Sequence, residues 1–235
     1  MIRRIPVLRS LALLFVLVFS SVPAWQAWSQ VRVPAEAVTD ETALREVFQL
    51  GQQLESERRW GEALTHYEKA LKEHPGEREL ERRIELARMH FDLTRRYGDR
   101  SYTRSLATFT AREALDMYRD VLLKIQSYYV NTPNWQRILE RGTLQMDVAF
   151  ADPVFAKHHF SNVTIEQSRA ALQQLHRVMD GRRIESRHEA QQHVQWAARM
   201  ISQQLGIGEQ VVTMEYLCGA ISALDVYSSY LSGDR

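Results

Sequence analysis

The chain has 235 residues, 45% of them apolar and 25% charged, the balance of a polypeptide that buries a core and does not stay disordered. A net charge of +1 gives no sign of the basic face expected of a nucleic-acid-binding protein, and a single cysteine, Cys218, excludes an intrachain disulfide. Ten Gly and six Pro are few and fall where helices would begin or end, which predicts an all-α fold.

Residues 1–29 read as a signal peptide. Arg3, Arg4 and Arg9 form a positive leading region, and residues 11–19 are an unbroken apolar run. That run falls short of the roughly 20 apolar residues a membrane-spanning helix needs. Small or modest side chains offer cleavage after Val22-Pro23-Ala24 or Ala27-Trp28-Ser29. The expected destination is the periplasm or cell envelope, with membrane contact only through an uncleaved segment. Removal of its three Arg leaves the remainder weakly acidic.

Residues 36–97 carry Val47, Leu50-Gly51, Leu54, Ala63, Tyr67, Ala70 and Pro75 in order. This series resembles the tetratricopeptide repeat, with Val47 in place of its Trp and Leu54 in place of its Tyr. Gly51 and Ala63 let two antiparallel helices approach closely. Leu50, Leu64, Tyr67 and Leu71 are expected in the seam, and Pro75 stops the second helix. Val47, Leu54 and Tyr67 are the expected lining of a groove for a peptide or partner. One period of 34 residues further on, Ile84-Glu85 has no small residue, so the repeat does not propagate. The stripe Leu80, Ile84, Ala87 and Phe91 predicts a capping helix over 77–96. A lone hairpin needs support, because about three repeats bury a continuous core.

Tyr97-Gly98-Asp99-Arg100-Ser101 reads as a boundary, with a multi-helix bundle over 105–235. Thr110 with Glu113, Thr164 with Gln167 and Ser186 with Glu189 have the spacing of capping boxes. Thr132-Pro133 and Asp152-Pro153 place an N-cap before a first-turn proline. Gly181 and Gly206 mark helix ends. These signals predict helices near 111–129, 133–150, 153–159, 165–179, 187–205 and 209–224.

No catalytic, metal-binding or cofactor-binding residue emerges. Ser228-Ser229 lacks a nearby His or Lys and a Gly-rich elbow, so a turn or cap role is expected. His188 and His193 are five residues apart, about 140° around a helix, and do not share a zinc ion. Adjacent His158-His159 also point apart. Tyr128, Tyr129, Trp135, Phe150 and Trp196 recur at helical spacing and are expected in the core. The Arg residues between 78 and 104 alternate with Glu and Asp, the pattern of a solvated face. Cys218, beside Gly219 and Ala220, reads as a small core residue.

Two segments carry a further signal. The first is Tyr118-Arg119-Asp120-Val121-Leu122-Leu123-Lys124-Ile125-Gln126-Ser127-Tyr128-Tyr129-Val130, followed by Asn134-Trp135. The second is the run from Met214 to Leu224 passing into Asp225-Val226-Tyr227-Ser228-Ser229-Tyr230-Leu231. Together they resemble the helical amino-terminal region of bacterial carboxyl-terminal processing (tail-specific) serine proteases. In that family a helix ending in Leu-Asp-Pro-His-Ser-Ser-Tyr-Leu leads into a PDZ domain and then the catalytic core. Val226 and Tyr227 replace the Pro and His, and the family's catalytic Ser and Lys have no equivalent in this chain. The resemblance implies a non-catalytic scaffold belonging to an exported serine-type peptidase, with a protein or peptide partner or a homo-oligomer. The alternative is an extracytoplasmic tetratricopeptide-like adaptor for protein–protein interaction.

Overall fold

Local capping chemistry sets the lengths of the helices, and small residues set how closely they pack. The computed structural model describes residues 35–129 and 131–224, with side chains from residue 42 onward. Residues 1–29, read above as a signal peptide, and residues 225–231, including Ser228-Ser229, lie outside them. The described residues form ten helices and no strand: α1 (Ala35–Ser56), α2 (Trp60–Glu73), α3 (Arg78–Gly98), α4 (Arg100–Thr108), α5 (Ala111–Tyr128), α6 (Trp135–Ala151), α7 (Pro153–His159), α8 (Ile165–Asp180), α9 (Arg187–Leu205) and α10 (Glu209–Ser222). The fold is all-α, as the composition predicts.

The caps arise from side chains close in sequence. Thr110 accepts from Glu113 N while the Glu113 carboxylate accepts from Thr110 N, and Thr164 and Gln167 repeat the exchange. Ser186 accepts from Glu189 N, but the Glu189 carboxylate accepts from Glu185 N, so that box is incomplete. Asp152 opens α7 by accepting from Val154 N, with Pro153 as first residue. Helix α6 starts at Trp135, two residues later than predicted, because Asn134 and not Thr132 caps it, accepting from Arg137 N at 2.9 Å. Gly206 ends α9 with φ of 70°, a left-handed conformation glycine adopts without steric cost. Gly181 ends α8 at φ of −90° and does not use that freedom.

In the hairpin, Gly51 lies directly against the Tyr67 ring, where any Cβ would overlap it. Tyr67 is fully buried and its hydroxyl donates to Glu55 Oε1 at 2.9 Å. Leu54, Ala63, Ala70, Leu80, Ile84 and Ala87 complete this small core. Leu50 is 48% exposed, contrary to its expected place in the seam. One helical step turns it about 100° from Gly51, which is the residue that faces Tyr67.

Helix α3 does more than cap the hairpin. Its first half gives Leu80, Ile84 and Ala87 to the hairpin core, and its second half gives Met89, Leu93 and Tyr97 to the bundle core. The hairpin therefore gains its support by sharing a helix. The stretch 97–101 is a bend, not a gap: Asp99 N–H bonds Arg96 O to end α3, and the Asp99 carboxylate accepts from Ser101 N to open α4. Residue 105 thus falls inside α4, which buries Tyr102 and Leu106. A second tie runs through His90, which stacks on Trp60 with ring centroids 3.9 Å apart and donates to Asp152 at 3.3 Å. From Thr42 onward the chain makes one compact unit.

Helix α10 is the axis of the bundle. Val211 through Ala220 are all buried, as expected of a helix apolar around its whole circumference, and α5, α6 and α9 pack on it. The crossing with α6 depends on paired glycines: a Cβ on Gly219 would sit 2.6 Å from both Arg141 O and Gly142 Cα. Gly142 in turn receives the Tyr216 ring, and Thr143 Oγ1 meets the Tyr216 hydroxyl at 3.2 Å. Among the described residues no helix is long and apolar enough to cross a membrane.

Candidate functional site

The one acidic residue inside α10's buried run organises the polar interior. Glu215 is fully buried, and a buried carboxylate is costly unless paired and hydrogen-bonded. Three side chains from two helices, α3 and α6, supply its partners. Arg96 Nη2 donates to Glu215 Oε2 at 2.7 Å, and Gln145 Nε2 donates to the same oxygen at 2.8 Å. The Tyr97 hydroxyl donates to Glu215 Oε1 at 3.1 Å. Since that hydroxyl's proton is committed to Glu215, His159 Nε2 is the donor in its 3.2 Å bond to the Tyr97 oxygen. Tyr102 lies beneath the Arg96 guanidinium, 5.9 Å from ring centroid to Cζ. The knot ties the end of α3 and the start of α4 to α6, α7 and α10.

Its electrostatics favour holding over reacting. Burial, and then the Glu215 carboxylate, push the Tyr97 and Tyr102 phenols well above their ordinary range. Burial pushes the Cys218 thiol up to about 12, against the Arg96 guanidinium and with the Glu215 carboxylate. A thiol so displaced stays protonated near neutral pH and is a weak nucleophile, in keeping with a small core residue. Burial, and then neighbouring His158, lower His159 to about 4, so it is neutral when it donates to Tyr97.

Beside the knot lies a cavity of about 650 Å³, bounded by α3, α6 and the end of α10. Arg96, Gln145 and Cys218 reach its inner wall, and Leu71, Ile84, Met89 and Leu224 give it an apolar lining. Sequence reasoning missed this site. The detectable signal was a lone acidic residue, Glu215, in the otherwise apolar run of α10.

The residues expected to line a hairpin groove lie elsewhere. Leu54 and Tyr67 are buried in the seam, and Val47 is half-buried with its carbonyl 2.9 Å from His66 Nε2. None of the three joins the cavity. His188 is exposed and pairs with Gln192, whereas His193 is buried against Trp196 and Tyr216. Burial, aided by the Arg182 charge, lowers His193 to about 4. The two rings are therefore apart, as the five-residue step requires. No group of three or more His, Cys, Asp or Glu among the described residues is placed to hold a metal ion.

Among the aromatics, Phe150 is in the core, and Tyr129, Trp135 and Trp196 pack partly against it. Tyr128 is 83% exposed, against its expected place inside, because α5 ends there and Tyr129 takes the inward position. The Arg run is largely the expected solvated face, with Arg82 and Arg83 both on Glu79 and Arg88 on Glu68. Arg96 is the exception.

Comparison with protein families, curated proteins and solved structures finds no match to this chain.

Proposed function

We propose that the chain is the non-catalytic helical part of an exported carboxyl-terminal processing serine protease, a scaffold that holds and presents other parts of the assembly. The reading rests on the resemblance of residues 118–135 and 214–231 to that family. The observation that supports it is the adjacency in space of the described parts of these two segments. Helix α5 packs on α10, and the Tyr129 hydroxyl at the end of α5 donates to the Leu224 carbonyl just beyond α10. Tyr129, from the aromatic-Tyr-Val pattern of the resemblance, thus holds Leu224, the first residue of the Leu-Asp-Val-Tyr-Ser-Ser-Tyr-Leu stretch and the last one described. Gly142 and Gly219 fix the same end from the α6 side. A helix end held from two sides suits a domain whose work is to position a neighbouring domain.

The polar interior agrees with a structural task, since its carboxylate is held by three donors and its thiol by burial. The test is a cleavage assay on the purified chain with an unstructured exported protein as substrate. No cleavage is expected. Cleavage that survives rigorous removal of contaminating peptidase would overturn the non-catalytic assignment.

A further inference from the structure

We propose that the cavity between α3, α6 and the end of α10 is a docking site for a short acidic peptide segment of a partner protein, an inference that rests on the scaffold reading and names the chemistry of what the scaffold holds. At about 650 Å³ the cavity has the size of sites that enclose most of a small ligand, which a few side chains of a peptide match. Its walls carry six guanidinium groups and three carboxylates, Glu81, Glu85 and Asp92.

Most of these arginines are already engaged. Arg82 bonds Glu79 at 2.7 Å, Arg88 bonds Glu68 at 2.6 Å, Arg141 pairs with Glu85, and Arg96 is committed to Glu215. Arg78 at the start of α3 and Arg137 in the first turn of α6 are both exposed, and neither pairs with a carboxylate among the described residues. They are the open positions. A planar guanidinium presents paired donors to a carboxylate, which makes such contacts both strong and orienting. The concave, partly apolar setting strengthens the attraction of these two guanidinium groups for a carboxylate, with Glu81 the one wall carboxylate that has no ion pair among the described residues.

The apolar lining sets the other half of the recognition. Ile84, Met89 and Leu224 offer purchase to Leu-like side chains, so a peptide that alternates acidic and apolar residues satisfies both features. A bare inorganic anion would use only the first. Leu224 is also the residue whose carbonyl Tyr129 holds, so an occupant would touch the held end of α10.

The test measures fluorescence anisotropy of a labelled eight-residue peptide alternating Glu and Leu, titrated with the full chain and with the Arg78→Glu/Arg137→Glu variant. Neither arginine is in an ion pair or in the core, so the variant is expected to keep the wild-type melting temperature. Binding should weaken about tenfold or more in the variant and fall as salt rises. A matched peptide with Gln in place of Glu should not bind. No binding of the acidic peptide, equal binding of the Gln peptide, or an unchanged Kd in the variant would each overturn the proposal. So would displacement by millimolar inorganic phosphate alone, which would mark a small-anion site, or a dimer that the double substitution dissociates, which would mark a contact between copies of this chain. The scaffold reading is tested separately by the cleavage assay, so failure of peptide binding with no proteolysis detected would remove this inference and leave that reading in place.

Discussion

Glu215 shows what one residue costs and secures. It sits with Arg96 in a buried pair, at 0% and 6% exposure respectively, and removing one partner of such a pair leaves a charge without compensation. Glu215→Leu should therefore destabilise the chain by about 3–5 kcal/mol in chemical denaturation, whereas adding Arg96→Met should recover most of the loss. A single substitution costing under about 1 kcal/mol, or a double variant no better than the single, would show that the knot is not a coupled unit. In the sequence, Arg96 was indistinguishable from the other arginines of a charged run. Its partner lies 119 positions away, and no local pattern links them. Only Glu215 itself was conspicuous, as an acid among Val, Met, Tyr and Leu. The same limit applies to Leu50, Leu54 and Tyr128, where a helix was evident but the face each residue presents depended on elements far along the chain.

Among the elements, the legible features are the local ones. Capping at Thr110, Thr164 and Asp152 involves side chains within three residues of their targets, so the helix starts could be read without knowledge of the fold. Helix α4 was not legible, because Tyr97 to Ser101 reads as a break while Asp99 in fact closes one helix and opens the next. The division of α3 between two cores escaped for the same reason: its stripe is continuous, and only packing shows where one neighbour replaces another. The hairpin's closeness, by contrast, is a sequence property carried by Gly51. Gly51→Leu would drive a side chain into the Tyr67 ring and should cost roughly 1–3 kcal/mol by overpacking, read as a lower melting temperature. A melting temperature equal to wild type would mean that α1 and α2 do not pack through this contact.

For the whole molecule, the architecture joins a short helical hairpin to a bundle whose axis, α10, is locked from both sides at its far end. The hairpin and bundle share α3, and the cavity opens against that shared helix, with Leu224 in its wall. On the proposed reading, a neighbouring domain follows the held end of α10 and a partner docks at the cavity. The central claim is that the chain positions a catalytic part encoded with it. The most direct test is the intact mass of the native polypeptide, recovered by an antibody against this chain from the exported fraction of its own cells. The account predicts a species well above the 27.4 kDa of these 235 residues, with peptides of PDZ and peptidase sequence beyond Arg235. A species at or slightly below 27.4 kDa would contradict it and favour the free-standing adaptor.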